Sequence, residues 1–577
     1  MTHTNAVGKS ALYFILPVVF VLLSFTSVQQ KSPTYDETVH LYAGYSYLRW
    51  GDYRVNPEHP PLIKMLAAAP LLAIDLDTSG VTARERFHVQ QDKNYGWVLA
   101  HRFVFVDNDA DTLFLHARLV MVVLAASLAV WVAVWARKLY GVEAGIIALF
   151  LFCLDPNLIA HATIVQTDLP FALMLFGATY FYWRCLTELT WFNLFATGGL
   201  FGLAAVTKFS FIIILPIWLV LGLTKIAGAE SMRTPIADPD TTTDRRRKSA
   251  IVATILMFSA MVAYLAIWFV YQFRFDAVLY QHGRLPTIQL ATDASWLTSL
   301  IRLSREYFIL PEAMLFGLGD AYGRMERTAY LLGQISHSGF WLYFPIAFLV
   351  KTPAPTLLLM LIALGYMLFR RARVDAALFL LVPALMFFAF AAWSHLNVGW
   401  RHIVPIYPFL FVWLAGMTLQ VWRSGQRLPR LGLLFLSVWL CGSTLSAYPN
   451  YLSYFSEAIG GGSRGHAFLV DSSLDWGQDL KALKSWMTRN QVERIQLAYF
   501  GTADPAYYKI NADYLPGSVY VTQRSLREPL ESSGYVAISE TFLAGLYLDR
   551  PDRYANFRDR EPVATLGHSM KVYKLDD

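Results

Sequence analysis

Apolar runs of about 17–25 residues, the length that crosses a bilayer as a helix, recur along most of residues 1–448. A chain that repeats such runs folds as a polytopic helical membrane protein, and its composition agrees. Of 577 residues 55% are hydrophobic and only 16% charged, against about one quarter charged in soluble chains. The mean hydropathy is +0.39. The many Trp and Tyr residues suit interfacial belts. Cys153, Cys185 and Cys441 fall in or beside apolar runs, where cysteine behaves as a small buried apolar side chain. No disulfide framework is expected.

Spans are expected near 11–28, 115–136, 144–160, 169–186, 191–207, 209–227, 250–271, 354–370, 375–393, 403–422 and 429–448, eleven in all. The run from Leu12 to Val28 is read as an uncleaved first helix, because no clean small-residue cleavage site follows it. With the N-terminus in the cytoplasm, every short inside loop is basic: Arg137 and Lys138, Arg184, Arg245-Arg246-Arg247-Lys248, Arg370 and Arg371, Arg423 and Arg427. This is the distribution that the positive-inside rule requires. The Arg245–Lys248 run is read as a topology anchor rather than a lipid-headgroup site, and no nucleic-acid signature is present.

That orientation places residues 29–114, residues 272–353 and everything from 449 to 577 outside. In the first loop Val39, Tyr42, Ala43, Ser46, Tyr47 and Trp50 share a helical face, which predicts a helix lying on the membrane surface. In the second, Trp341 to Leu349 is too short to span and leads through Lys351-Thr352-Pro353 into the next run. Residues 449–577 turn polar and slightly acidic, with 14 Lys+Arg against 16 Asp+Glu. Patches at 494–500, 518–522, 534–539 and 570–575 read as strands, and Asp475 to Met487 reads as a helix. The predicted architecture is an all-α polytopic membrane bundle of about eleven transmembrane helices over 1–448, followed by a small C-terminal extracytoplasmic α/β domain over 449–577.

The outer ends of the spans carry a set of ionisable residues at one bilayer depth. They are Asp36 and Glu37, His59 and Lys64, Asp168, Lys208, Lys351, and His395, Arg401 and His402. Ionisable groups at a membrane boundary that face the bundle interior are functional candidates by default. Cations of this kind hold a phosphate, and a carboxylate takes a proton from a hydroxyl. Each has an ordinary alternative. Asp36-Glu37 suits the first turn of a helix, and Asp168-Leu169-Pro170 is a good helix start. Lys208 and Lys351 have the length to snorkel. His395 and His402 are not at a specific metal-ligand spacing. Six segments with complementary charges on one side favour a shared site over six separate coincidences. The outer-loop histidines permit a divalent cation without demanding one.

Tyr35-Asp36-Glu37, His59-Pro60-Pro61-Leu62, Gln166-Thr167-Asp168-Leu169-Pro170 and Leu203 to Ser210 resemble the C-type (GT-C) membrane glycosyltransferases. The likeness is to the family-39 branch, with protein O-mannosyltransferases and bacterial lipopolysaccharide-sugar transferases. The resemblance implies a sugar donor carried on polyprenyl phosphate and an acceptor hydroxyl on a lipid, glycan or protein. Transfer would take place on the extracytoplasmic face of the cell membrane. It implies Asp36 as general base, with Glu37 and Asp168 orienting the acceptor or the site. Lys208, Arg401 and either His59 or Lys64 would bind the donor phosphate; the family's lipid A enzymes have Lys-Pro where this chain has His59-Pro60. Lys351, His395 and His402 complete the substrate-binding candidates. Two other classes remain open: a lipid or sugar transporter or flippase, and a non-catalytic membrane scaffold with an extracytoplasmic binding domain.

Overall fold

A computed structural model describes residues 2–90, 92, 94–235, 241–278, 295–323, 327–370, 375–518 and 533–575. Six helices among them are long and apolar enough to cross a membrane: Ser10–Val28, Ala110–Tyr140, Phe209–Ala227, Arg245–Val270, Trp400–Arg423 and Arg427–Ala447. A seventh candidate is the pair Tyr343–Lys351 and Ala354–Phe369, bent by 107°. The bend has a local cause: Pro353 excludes the helical conformation from Thr352, which is extended. The short segment that the sequence placed ahead of a span is therefore a separate helix.

Polar side chains start several of these helices. Asp109 accepts from the amide of Thr112 ahead of Ala110–Tyr140, and Asp244 does the same for Arg247 ahead of Arg245–Val270. Asp155 interrupts the expected span 144–160. The helix Val142–Cys153 stops there, and the Asp155 carboxylate caps a new one, Pro156–His161, at the amides of Asn157 and Leu158.

Helix Glu37–Trp50 corrects one expectation. It does not lie on a membrane surface with one apolar face, since every residue from Glu37 to Tyr47 is buried. It packs against Leu62–Ala68 and Tyr95–His101. The contact with the first of these is close: a Cβ at Gly44 would stand 1.9 Å from the Lys64 carbonyl oxygen. Any other residue at 44 would push the two helices apart.

The C-terminal part holds a five-stranded mixed sheet in the order Ala512–Tyr514, Ile495–Ala498, Gly534–Ser539, Met570–Leu575, Ala564–Leu566. The first three strands are parallel and the last two antiparallel. All of Ile495–Ala498 is buried, as suits a central strand of a covered sheet. Leu480, Leu483 and Met487 share the buried face of helix Leu480–Arg489. That helix starts five residues later than Asp475, and residues 475–479 are irregular. Strands 512–514 and 564–566 were not expected. Of the strand expected at 518–522 only Ser518, a bend, lies among the described residues.

Two long-range seams join this part to the helices. At the first, Ser32 N donates to Gln478 O (3.0 Å) and Tyr35 N to Trp476 O (2.9 Å). Lys31 Nζ pairs with Asp479 Oδ1 at 2.6 Å. At the second, Trp400 N donates to Ser473 Oγ (3.0 Å) and Ser472 Oγ to the Val398 carbonyl. Gly399 permits this approach: its φ is 157°, and a Cβ there would lie 2.0 Å from Ser472 Oγ. Both seams run beside the charged residues that the sequence singled out.

Candidate active site

Asp36 occupies the N-cap position of helix Glu37–Trp50, yet its side chain makes no capping hydrogen bond. The ordinary explanation for an acid at a helix start therefore does not account for it. Its Oδ2 lies 3.4 Å from Arg401 Nη1 instead. The same Nη1 is 3.5 Å from Asp168 Oδ2, and Asp168 Oδ1 accepts a hydrogen bond from Lys208 Nζ. Four chain segments, 36, 168, 208 and 401, thus close into one alternating chain of charge: Asp36, Arg401, Asp168, Lys208.

Exposure divides the two carboxylates. The Asp168 side chain is 1% exposed, and the Asp36 side chain is 25% exposed. Asp168 is held by two cations in a buried setting, where opposite charge and hydrogen bonding favour the ionised form. It can orient the cations but has little access to a substrate. Among the described residues Asp36 pairs with the edge of one guanidinium, and it opens to solvent. Of the pair it is the carboxylate that an incoming hydroxyl can reach.

Two buried nitrogens beside the cluster are left without a partner. Arg401 Nε and His402 Nε2 are buried with no hydrogen-bond partner among the described residues. A buried donor left without an acceptor is costly, and an anionic ligand oxygen would relieve Arg401 Nε, and His402 Nε2 in the tautomer that carries its proton there. The Arg401 guanidinium lies over the Trp476 ring, 4.3 Å from its centroid, which fixes its plane. Lys208 is largely buried, and that burial lowers its pKa against the opposing pull of Asp168.

A pair of histidines adjoins the cluster. The His40 and His59 rings are 5.9 Å apart, and His40 Nδ1 contacts the Val165 carbonyl oxygen at 2.8 Å. Burial lowers the pKa of both; for His59 the charges of His40, Lys208 and Lys64 add to the effect. Both rings are therefore neutral at pH 7, and His59 feels the charges of Lys208 and Asp168 without joining the cluster as a cation.

Glu37 sits beside Asp36 in sequence and has a different place. Its carboxylate is fully buried. It accepts from Arg118 Nε (2.9 Å) and Nη2 (2.6 Å), Thr34 N (2.8 Å), Thr34 Oγ1 (3.1 Å) and Val165 N (3.1 Å). It joins the Asp36 turn to helix Ala110–Tyr140 and to the strand of chain before Asp168.

The structure does not bring three of the expected substrate-binding residues to the cluster. Lys64 donates to the Asn56 carbonyl (2.5 Å), Asn56 Oδ1 (3.2 Å), the His59 carbonyl (2.9 Å) and Tyr47 Oη (3.1 Å). Its donors are spent on holding the 56–59 loop, and burial pulls its pKa down to about 7. Lys351 is buried and donates to the carbonyls of Leu452 (2.9 Å) and Ser473 (2.7 Å). His395 is exposed. Among the described residues no group of three His, Cys, Asp or Glu side chains converges as a metal set.

Sequence reading missed one wall of the site. Residues 471–476 and Tyr547 come from the polar C-terminal part, and Trp476 stacks on Arg401. Asp471 is buried and accepts from Tyr547 Oη at 2.7 Å. The available signal was the run Asp471-Ser-Ser-Leu-Asp475-Trp476-Gly477-Gln478-Asp479, three acids with a Trp-Gly in an irregular stretch.

Comparison with known proteins finds a family model that matches part of the chain. Residues 95–237 match the family model for dolichyl-phosphate-mannose-protein mannosyltransferase. That stretch contains Asp168 and Lys208, so the glycosyltransferase resemblance read from the sequence is borne out there. No curated protein sequence matches the chain. Among solved structures, ArnT from Cupriavidus metallidurans in the apo state is similar over 98% of both chains, at 13% identity and a TM-score of 0.49. The same protein bound to undecaprenyl phosphate is similar over 98% of both, at 12% identity and 0.48. The S. cerevisiae protein O-mannosyltransferase Pmt1–Pmt2 complex bound to the sugar donor is similar over 46% of this chain and 34% of that one, at 15% identity and 0.34.

Proposed function

We propose that this membrane protein is a glycosyltransferase that takes a sugar from a polyprenyl-phosphate donor and places it on an acceptor hydroxyl at the extracytoplasmic face. The observation that supports this best is the alternating chain Asp36–Arg401–Asp168–Lys208, with its accessible carboxylate at one end and unpaired buried donors beside it. The donor class is that of the family matched over residues 95–237. Eleven spans with the basic loops in the cytoplasm are the topology we adopt.

The reaction follows from the charges. A polyprenyl chain belongs among apolar helices, with its phosphate at the interface and its sugar in water. Asp36 accepts the proton of the acceptor hydroxyl. The acceptor oxygen bonds to the anomeric carbon as the bond from that carbon to the phosphate oxygen breaks. The electron pair leaves with polyprenyl phosphate, whose charge Arg401, Lys208 and the His402 N–H stabilise. Asp168 keeps both cations in place, and attack opposite the leaving group inverts the anomeric centre. A retaining enzyme would use a second carboxylate as nucleophile, and Asp168, buried behind two cations, is unsuited to that.

A transporter would carry its charged groups near the bilayer midplane, in broken helices; here they lie at helix ends on one side. Mass spectrometry of lipid and glycan fractions from cells with and without the gene tests the reading. Loss of a single sugar from one fraction is expected. Unchanged fractions, with a sugar or lipid trapped on the wrong side of the membrane, would point to transport.

A further inference from the structure

Beside Asp36 the chain places an aromatic row whose far end is open. The Tyr35 ring is 5.3 Å from Phe500, and Phe500 is stacked on Tyr547 at 5.6 Å with 22° between the planes. Trp97 packs edge-on against Tyr35 at 5.5 Å. Phe500 is 7% exposed and serves as the filling of the row, whereas Tyr547 is 41% exposed. The last ring therefore presents a free aromatic surface, and its hydroxyl is turned inward to Asp471 Oδ2 at 2.7 Å.

Both members of that bond have left-handed backbone, with φ of 54° at Asp471 and 61° at Tyr547. For a residue as bulky as Tyr this conformation is unfavourable, and such strain gathers at functional sites. Other bonds hold the pair in place. Asp471 N donates to Thr541 Oγ1 (3.2 Å), and Asp471 Oδ1 accepts from Ser472 N (2.6 Å). Each carboxylate oxygen so keeps a lone pair for a further donor. Ser472 and Ser473, next to Asp471 in the chain, bond the Val398 carbonyl and the Trp400 amide just ahead of Arg401, so the pair shares a wall with the reacting centre.

We propose that Tyr547 and Asp471 form the acceptor subsite and that the acceptor is a saccharide. The inference rests on the transferase reading for the position of the reacting centre. A pyranose has an apolar C–H face and a rim of hydroxyls. An exposed aromatic ring with a buried carboxylate at its edge matches both, the ring by packing and the carboxylate by charge-assisted hydrogen bonds. A lipid acceptor would instead want an apolar cleft, and a peptide a row of unpaired backbone groups. Transfer from donor to acceptor would then cross from the helix-borne cations to the C-terminal wall, with Asp36 between them.

The test uses the full chain in lipid nanodiscs and saturation-transfer NMR. The probes are soluble neutral trisaccharides of hexose, N-acetylhexosamine and heptose, with a Ser/Thr-rich peptide beside them. At least one sugar should receive saturation on its ring C–H protons, and Tyr547→Ala should abolish it. Tyr547→Phe keeps the ring but loses the bond to Asp471, and should weaken binding about threefold to tenfold. That variant preserves the packing on Phe500, so a loss there is not a folding failure. Binding of no sugar, sugar binding indifferent to Tyr547→Ala, or Tyr547-dependent binding of the peptide each overturns the saccharide subsite. The two readings fail separately. Tyr547-dependent sugar binding without transfer from any polyprenyl-phosphate sugar keeps the subsite and removes the transferase. Transfer without such binding does the reverse.

Discussion

Replacing Glu37 by Gln separates a structural acid from a catalytic one. The Glu37 carboxylate accepts five hydrogen bonds, two of them from the Arg118 guanidinium, and neither side chain has appreciable contact with water. Glutamine has the same shape but one of its ends donates. With its NH2 on the Oε1 side it meets Arg118 Nε and Val165 N; on the Oε2 side it meets Arg118 Nη2 and Thr34 N. Either orientation sets two donor pairs against each other and leaves the guanidinium buried without its counter-charge. Removing one partner of a buried pair costs about 3–5 kcal/mol. Thermal unfolding in nanodiscs should show Glu37→Gln clearly destabilised. Glu37→Gln/Arg118→Met, which also removes the stranded charge, should recover part of the loss. Wild-type stability in Glu37→Gln together with abolished sugar transfer would refute the reasoning and make Glu37 a substrate contact.

Arg401→Lys keeps the charge but loses the planar fork and its stacking on Trp476. Turnover with a polyprenyl-phosphate sugar should fall by about 10²–10³, in line with loss of one transition-state donor; a variant that turns over normally would mean that charge alone suffices. Acid should destabilise the protein through His40 and His59. Their folded pKa values lie below the ordinary ~6.5, so the unfolded chain binds more protons in that window. Stability contributed by these neutral rings is whole above about 6.5 and is lost as pH falls below it. A series of thermal midpoints between pH 7.5 and about 5 should show this decline, shallower in His59→Gln, and an identical slope in that variant would exclude His59 as a source.

Much of the site was legible because charge at a membrane boundary is rare. Asp36, Asp168, Lys208 and Arg401 stood out as ionisable residues at span ends, and the structure joins all four. What periodicity could not reveal is how a side chain spends its donors. Lys64 and Lys208 look alike in sequence, but one pins carbonyls of a local loop and the other reaches a buried carboxylate. The helical face of Val39, Tyr42 and Tyr47 was real, and burial of the opposite face by Leu62–Ala68 and Tyr95–His101 was not visible in it. The C-terminal wall was beyond sequence reasoning for a different reason. Tyr35 and Trp476, bonded at 2.9 Å, are too far apart in the chain for any local pattern to relate them.

The central claim is that Asp36 takes the acceptor proton. Its direct test is the rate of sugar transfer by purified Asp36→Asn, given a polyprenyl-phosphate sugar and the acceptor fraction that the gene deletion identifies. Asparagine preserves the size of the side chain, and among the described residues the ion pair lost is one 3.4 Å contact with Arg401, which keeps Asp168, so the variant should fold and unfold like wild type. Transfer should fall by about 10²–10⁴, the contribution of a positioned general base. Transfer at the wild-type rate would contradict the assignment and leave Asp36 a spectator of its own cluster.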